Sequence, residues 1–109
     1  MELHGEVALI TGACSGIGQG IAKVLAAKGV KVGLAARRTQ RLQETANEIR
    51  EAGGEVLVLQ MDVADKASVI QAVEKLITQY GRIDILVNNA GLMPASDIDT
   101  LKTMNGKLW

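Results

Sequence analysis

Residues 11–18 read Thr-Gly-Ala-Cys-Ser-Gly-Ile-Gly, and they follow the apolar run Val7–Ile10. Residues 19–25, Gln-Gly-Ile-Ala-Lys-Val-Leu, come directly afterwards and have the apolar spacing of a helix. A buried strand that leads through a glycine-rich turn into a helix brings backbone N–H groups and the helix N-terminus to one point, where they can bind a phosphate. This stretch therefore predicts a nucleotide-binding half-domain.

Four apolar runs of strand length are predicted to form a parallel sheet. They are Val7–Ile10, Val30–Ala35, Val56–Leu59 and Ile83–Val87. Each run is continuous or nearly so, which is typical of strands that are covered on both faces. Because segments with helical spacing separate the runs, the pattern favours an α/β, Rossmann-like, doubly wound sheet with right-handed crossovers and helices on both faces.

Each of the three predicted helices has one apolar face. Gly29, Gly53 and Gly81 each follow a helix, where a residue with positive φ is favoured, and Asp65 is placed to cap the start of the third helix. The apolar faces consist of Ile17, Ile21, Ala22 and Leu25 in the first helix, Leu42, Ala46 and Ile49 in the second, and Val69, Val73, Leu76, Ile77 and Tyr80 in the third.

The composition argues against several classes of function. Twelve Lys and Arg residues balance twelve Asp and Glu residues in 109, so no long-range field attracts nucleic acid or an anionic membrane. An aromatic content of 2% leaves no platform for stacking nucleic-acid bases. Cys14 is the only cysteine, the N-terminus does not resemble a signal peptide, and no apolar run has membrane-spanning length. We expect a cytoplasmic protein without a metal site and without nucleic-acid or membrane partners.

Two further motifs follow predicted strands, Asp62-Val63 after the third and Asn-Asn-Ala-Gly at residues 88–91 after the fourth. With the glycines of residues 11–18, they make the chain resemble the N-terminal half of the short-chain dehydrogenase/reductase family over roughly residues 5–100. The spacing Gly-x-x-x-Gly-x-Gly also differs from the commoner dinucleotide fingerprint Gly-x-Gly-x-x-Gly. The resemblance implies strand order 3-2-1-4, a nicotinamide dinucleotide cofactor and hydride transfer between a carbonyl and an alcohol.

The glycines of the turn have distinct expected roles. Gly12 permits the tight turn, Gly16 lets the backbone approach the cofactor pyrophosphate, and Gly18 with Gly20 lets the helix pack closely against the sheet. The alternative is a glycine-rich strand-to-helix loop that binds nothing. The two motifs downstream favour the binding interpretation, because a motif gains meaning from its context.

Three other residues of the turn are expected to face the cofactor. Ser15 offers a hydroxyl donor, and Ile17 offers a backbone N–H near the helix start. Cys14 stands where the family often has Ser. Its thiol, near a helix N-terminus, is either prone to oxidation or simply an inert small side chain.

Arg37 and Arg38 follow the second strand, where relatives that bind NAD are expected to carry an acidic residue for the ribose 2′-hydroxyl. Ala36 occupies that approximate position here. The helix dipole disfavours cations at the start of a helix, so the two arginines reduce local stability. A bound 2′-phosphate would offset that loss. Guanidinium recognition of phosphate therefore favours NADP(H) over NAD(H). The alternative is a solvated basic turn, together with Arg41.

The resemblance assigns the two later motifs to the rest of the cofactor. It implies that Asp62 and Val63 lie beside the adenine, the carboxylate accepting from its amine and the backbone N–H donating to its ring. It also implies that Asn89, followed by Ala90 and Gly91, lies against the ribose. The alternatives are a simple turn role for Asp62 and a purely structural role for the asparagines.

The resemblance also shows which residues the sequence lacks. The family uses a Ser and a Tyr-x-x-x-Lys pair with an assisting Asn, in which the Tyr is the general acid or base and the Lys lowers the pKa of the Tyr. Tyr80 is the only tyrosine, and Asp84 stands four residues later where a Lys is required. No catalytic residue is assigned, and we expect the 109-residue chain alone not to transfer hydride.

We divide the chain into a dinucleotide-binding half-domain, residues 1–91, and an irregular tail, residues 92–109. Family members commonly continue here with a run such as Thr-Asp-Glu-Trp-Lys-Ala-Met-Val-Asp. Deleting one nucleotide from a suitable coding sequence for that run gives Thr103–Trp109 and then a stop, so we interpret this end as a frameshifted truncation. The alternative function is a non-catalytic NADPH-binding or subunit-interaction module. Separately, we expect the apolar fourth strand, exposed at the edge of an incomplete sheet, to favour self-association.

Overall fold

The computed structural model describes residues 5–89. All strand pairs are parallel, and the strand order is β3-β2-β1-β4, which confirms the α/β Rossmann-like prediction. The interpretation of residues 92–109 as an irregular tail lies outside the described residues. The elements are β1 (Val7–Thr11), α1 (Gly16–Ala27), β2 (Lys31–Ala36), α2 (Gln40–Glu51), β3 (Val56–Gln60), α3 (Lys66–Tyr80) and β4 (Ile85–Asn88).

Each face of the sheet has its own hydrophobic core. Val7 and Leu9 of β1 contribute to the core shared with α3, whereas Ala8 and Ile10 contribute to the core shared with α1 and α2. Successive side chains of a strand point to opposite faces, so a strand covered on both sides is apolar at every position. All five residues of β1 are buried, which accounts for its unbroken apolar run.

The predicted helix termini are confirmed. The Asp65 side chain accepts hydrogen bonds from the backbone N–H groups of Ala67 and Ser68, at 3.1 and 3.4 Å, and caps α3. No helix among residues 5–89 is long and apolar enough to cross a membrane. The glycines that follow the helices all adopt positive φ: Gly29 at 86°, Gly53 at 88° and Gly81 at 83°.

The predicted apolar face of α1 is wrong at its first residue. Ile17 is 71% exposed, and Val24, seven residues later on the same side, is 57% exposed. The residues that α1 buries are Gly18 and Ala22, four residues apart. Because each residue turns the helix by about 100°, Ile17 and Ala22 lie about 140° apart around the axis. The helix therefore buries a face that begins at Gly18.

Two predicted strand starts are also wrong. In both cases the predicted first residue is buried in the core but lies before the point where the strand begins to pair. Val30 and Ile83 are buried, yet β2 begins at Lys31 and β4 at Ile85. Between Ile83 and β4, the Asp84 side chain accepts a hydrogen bond from the Val7 N–H at 2.9 Å, and the Asp84 N–H donates to the Val7 carbonyl at 2.8 Å. Residues that fill the core before a strand look like strand residues in the sequence, because burial selects the same apolar types.

Asp84 forms a charged cluster with Arg82 and Glu6 where β1 and β4 begin. The Arg82 Nε–H donates to both Asp84 carboxylate oxygens, at 2.9 and 2.7 Å, and an Arg82 terminal nitrogen lies 3.2 Å from a Glu6 oxygen. Burial by itself raises the pKa of Asp84, but hydrogen bonds from Arg82 and the Val7 N–H, with weaker contributions from Glu6 and the Arg82 charge, lower it to about 2. Asp84 is thus held as a carboxylate at the amino-end edge of the sheet.

Candidate functional site

A groove of about 770 Å³ lies at the opposite edge, where the strands end. Residues that follow three different strands line it, including Gly12 and Cys14 after β1, Arg37 after β2, and Asp62 and Val63 after β3. The crossovers change sides of the sheet between β1 and β4, since α1 and α2 pack on one face and α3 on the other. The groove reaches this switch point at the end of β1, and the carboxyl ends of strands at a switch point are where open α/β sheets bind ligands.

The backbone geometry of the glycine-rich turn requires glycine at two positions. Gly12 has a φ of 61°, which side-chain-bearing residues rarely adopt. A Cβ on Gly18 would lie 3.0 Å from the Gly12 carbonyl oxygen and 3.1 Å from the Ala13 Cα. The predicted close packing at Gly20 is wrong, because a Cβ there would have no neighbour within 4 Å. A Cβ on Gly16 would also meet open space.

Ser15 caps α1 and keeps a proton to donate. Its Oγ accepts from the Gly18 N–H at 3.0 Å and also accepts from the Asn89 side-chain amide. A serine hydroxyl has two acceptor positions and one donor, so these two bonds leave the O–H free to donate to a ligand. The first intrahelical bond, from the Gln19 N–H to the Ser15 carbonyl, comes after Gly16 and Ile17. The N–H groups of those two residues face out of the helix N-terminus.

Asn89 joins the end of β4 to the glycine-rich turn. Its side-chain amide donates to the Gly12 carbonyl at 3.1 Å, and its backbone N–H donates to the Thr11 hydroxyl oxygen at 3.2 Å. The Thr11 hydroxyl in turn donates to the Asn88 side-chain oxygen at 2.9 Å. The asparagines therefore have a structural role, which was one of the two interpretations left open. Ala90 and Gly91 lie outside the described residues.

Thr11 is the member of this network that sequence reasoning missed. It is completely buried at the end of a strand whose other residues are all apolar. A hydroxyl in that position needs hydrogen-bond partners, and it finds them in Asn88 and Asn89. A polar residue at the end of a buried strand, followed by glycine, was the feature that would have indicated it.

Arg37 and Arg38 lie on the groove, both exposed, just before α2 begins. The α2 cap residue, Thr39, makes no side-chain capping bond, and the first turn of α2 has no acidic residue. The nearest counter-charge is Asp62, whose Oδ2 lies 3.9 Å from the Arg37 Nε. The groove thus contains two cations that the start of this helix does not compensate.

Cys14 makes a contact that the sequence did not predict. Its thiol donates to the backbone carbonyl of Arg38 at 3.3 Å, and the Ala13 N–H donates to the Ala35 carbonyl at 3.2 Å. These two bonds tie the glycine-rich turn to the end of β2 and to the arginine turn, residues 36–39. Cys14 therefore helps to position the arginine turn, while its oxidation stays a prediction.

Asp62 has the turn geometry that was considered as its alternative role. Its Oδ1 accepts from the Ala64 N–H at 3.0 Å, and its own N–H donates to the Ser68 hydroxyl at 2.9 Å. These bonds fix the position of the Asp62 side chain and leave its Oδ2 facing Arg37. Val63 is half-buried and packs on the core beside α3. Both residues line the groove, so a structural role and a binding role are compatible.

Tyr80 lies away from the groove. It is the last residue of α3, and the Lys31 ammonium at the start of β2 lies 5.6 Å from its ring centroid. Burial raises the pKa of Tyr80, the Glu55 carboxylate raises it further, and Arg50 lowers it. Its neighbours place this phenol at the amino-end edge. Among residues 5–89, no group of three His, Cys, Asp or Glu side chains could hold a metal ion.

Residues 5–89 form part of a doubly wound, Rossmann-like α/β sheet with a groove at the carboxyl ends of its strands. Residues 6–107 match the model of the short chain dehydrogenase family, and the chain belongs to that family. It is 48% identical over 99 residues to an uncharacterised oxidoreductase of Staphylococcus saprophyticus, which covers 90% of this chain.

Solved structures agree with this assignment. A hydroxysteroid dehydrogenase from Escherichia coli superposes with a TM-score of 0.84 over 95% of this chain, at 27% identity. A short-chain type dehydrogenase/reductase from Mycobacterium marinum superposes with a TM-score of 0.80 over 93% of this chain, at 36% identity. The chain spans 42% of the Staphylococcus relative, and 52% and 44% of the two solved chains. Family membership implies a nicotinamide dinucleotide cofactor.

Proposed function

We propose that the groove binds NADP(H), and that this half-domain is the cofactor-binding part of an oxidoreductase that interconverts a carbonyl and an alcohol. The observation that carries the choice of NADP(H) is the pair Arg37 and Arg38, exposed on the groove at the end of β2. Guanidinium groups bind phosphate through paired, charge-assisted hydrogen bonds. The buried Ala36, at the end of β2, offers no carboxylate to a ribose 2′-hydroxyl.

The N-terminus of α1 fits the pyrophosphate. The Ser15 hydroxyl has a proton to donate, and the Gly16 and Ile17 N–H groups face out of the helix. The open space around Gly16 lets an anion approach the backbone, which a Cβ would obstruct. The helix dipole adds a favourable partial positive charge at the same point. This end of the groove therefore suits a diphosphate in either NADP(H) or NAD(H).

The far end of the groove fits the adenosine. Asp62 and Val63 lie at the end of β3 on the side of the arginine turn, where a carboxylate oxygen and a backbone N–H are available to an adenine ring. We further propose that Asn89, Ala90 and Gly91 approach the cofactor ribose, with Asn89 also holding the glycine-rich turn. A nicotinamide cofactor bound in this way supplies the hydride chemistry, while these residues bind and orient it.

The family's Tyr-x-x-x-Lys pair has no counterpart in the chain, because Tyr80 is followed four residues later by Asp84 and not by Lys. The only tyrosine of the chain, Tyr80, lies beside Lys31 at the amino-end edge and cannot serve the groove. We propose that the 109-residue chain binds cofactor without turnover. Measurable NADPH-dependent reduction of carbonyl compounds by the purified chain would contradict this.

Titration of the chain with NADPH and NADH tests the cofactor assignment. We expect NADPH to bind about tenfold more tightly than NADH, because guanidinium–phosphate bonds are among the stronger polar interactions. The double change Arg37→Ala with Arg38→Ala removes that preference and leaves NADH binding nearly unchanged. Arg41→Ala, on the exposed surface of α2, is the matched control and leaves the preference intact. Equal affinities for the two cofactors in the unchanged chain would refute the assignment to NADP(H).

A second candidate function, subunit interaction, is favoured by β4. Among residues 5–89, β4 pairs only with β1, and its Ile85, Leu86 and Val87 are only half-buried. An apolar strand at the edge of a sheet is a template for pairing with another chain. Sedimentation at rising protein concentration should show association that Val87→Lys reduces and the control Val24→Lys, on the exposed side of α1, does not. A chain that stays monomeric throughout would exclude this candidate.

A further inference from the structure

We propose that Asp62 sets how strongly the groove prefers a phosphorylated cofactor, because its carboxylate partly neutralises the arginine turn. The Asp62 Oδ2 lies 3.9 Å from the Arg37 Nε, across the groove between the ends of β3 and β2. This inference rests on the proposed function, since it concerns the discrimination between NADPH and NADH. It gives Asp62 a role that is distinct from any contact with the adenine.

The position of the Asp62 carboxylate does not depend on the arginine. Its Oδ1 accepts from the Ala64 N–H at 3.0 Å, and its backbone N–H donates to the Ser68 hydroxyl at 2.9 Å. These bonds belong to the turn that leads into α3. The negative charge is therefore a fixed part of the groove, whether or not Arg37 is engaged elsewhere.

Arg37 remains able to bind a phosphate while it is next to Asp62. Its side chain is 79% exposed, and the atom nearest to the carboxylate is Nε. A guanidinium has five N–H donors, so a contact at Nε leaves those of the two terminal nitrogens for a bidentate phosphate. At 3.9 Å the contact is too long for a hydrogen bond. Asp62 therefore acts on Arg37 through its charge and does not fix the arginine rotamer.

A negative charge beside the arginine turn weakens binding of a 2′-phosphate more than binding of a 2′-hydroxyl. Any bond between Asp62 and the adenine is common to NADPH and NADH, so it cancels in the ratio of the two dissociation constants. We expect Asp62→Asn to raise the NADPH preference about threefold at low salt, and less at high salt, because solvent and ions screen charges at an open surface.

The experiment compares both dissociation constants for the unchanged chain, Asp62→Asn and Asp62→Ser, at low and at high salt. Both variants remove the charge and keep an oxygen that can accept from the Ala64 N–H. Asp65→Asn is the matched control, because it removes a carboxylate three residues away while Asn caps a helix as well as Asp does. Circular dichroism verifies that all variants are folded.

The expected result is a preference for NADPH that rises in both neutral variants at low salt, shrinks at high salt and is unchanged in Asp65→Asn. An unchanged or lower preference, or a rise that does not depend on salt, would overturn the role of the Asp62 charge. A chain that binds neither cofactor would overturn the proposed function, and this inference with it. Binding of both cofactors with an unaltered ratio in the variants would overturn the inference alone.

Discussion

The two edges of the sheet carry their charged side chains in different arrangements. At the amino-end edge, Arg82 is paired with Asp84 and Glu6, and the Asp84 carboxylate also accepts from the Val7 N–H where β1 starts. At the carboxyl-end edge, Arg37 and Arg38 are exposed beside the start of α2, and the Asp62 carboxylate lies 3.9 Å from the Arg37 Nε. Paired charges hold strands together, whereas incompletely compensated cations remain available to a ligand.

Two glycines of α1 also differ in their surroundings. Gly18 is needed because backbone atoms of Gly12 and Ala13 crowd it, while Gly20, two residues later, meets open space. One belongs to the junction of α1 with the groove, and the other lies on the exposed surface. Alanine substitutions at Gly18 and at Gly20 therefore test whether the two positions differ as the structure indicates.

The largest expected effect is the opposite response of these two glycines to alanine. Gly18→Ala should lower the free energy of unfolding by about 2 kcal/mol, because two of the three crowding atoms are backbone and cannot move aside cheaply, and the third is the Asn89 amide nitrogen that bonds the turn. Gly20→Ala should raise it by about 0.5–1 kcal/mol, because alanine loses less entropy in a helix than glycine. Urea denaturation measures both. Equal effects of the two substitutions would mean that Gly18 is not a close contact.

The next effect concerns the pH dependence of the amino-end cluster. The pKa of Asp84 is lowered to about 2, below its value in the unfolded chain, so the folded state prefers the carboxylate. The resulting stability is present above the unfolded pKa and is lost as the pH falls through the folded pKa. We expect a loss of about 2 kcal/mol between about pH 5 and pH 1 from this group.

Asp84→Asn isolates this contribution. The side chain is only 11% exposed, and the amide keeps an acceptor for the Val7 N–H but loses the charge. We expect lower stability at neutral pH and a smaller loss on acidification, measured by urea denaturation at several pH values. Asp65→Asn, a change of the same kind at the exposed cap of α3, serves as the control. If Asp84→Asn lost as much stability on acidification as the unchanged chain does, the pH dependence would come from other carboxylates.

The smallest expected effect tests the bond between Cys14 and the arginine turn. Cys14→Ala removes the donor to the Arg38 carbonyl and should weaken NADPH binding about threefold, because the turn loses one neutral hydrogen bond. Cys14→Ser keeps a donor and should bind NADPH nearly as the unchanged chain does. Titration with NADPH distinguishes them. If both variants bound equally well, the thiol contact would have no part in positioning the arginines.

Much of the fold was predictable because it follows from local patterns. Apolar runs identified four strands, and the positive φ angles of Gly29, Gly53 and Gly81 followed from their places after helices. Errors occurred at Ile17, Val30 and Ile83, where an apolar residue was assigned a face or a strand that only packing decides. An apolar residue shows that burial is favourable but does not show which neighbour provides it.

The site was predictable as a set of loops but not as a set of contacts. The glycine-rich turn, the arginine turn and Asp62 were each identified from their positions after strands, and the structure brings them to one groove. The bonds that join them could not be predicted. Cys14 and Arg38 are 24 residues apart, and Asn89 and Gly12 are 77 apart. Such pairs leave no periodic pattern in the chain.

By itself, the sequence determined the alternation of strands and helices, the glycine-rich turn and the basic residues after β2, because each of these depends on neighbours within a few positions. The tertiary structure alone decided that Asn89 and Ser15 share a hydrogen bond, that Cys14 supports the arginine turn, and that Asp62 faces Arg37. The physical reason is that parallel strands bring their carboxyl ends together only when the sheet assembles. Contacts between the loops that follow them therefore exist only in the folded chain.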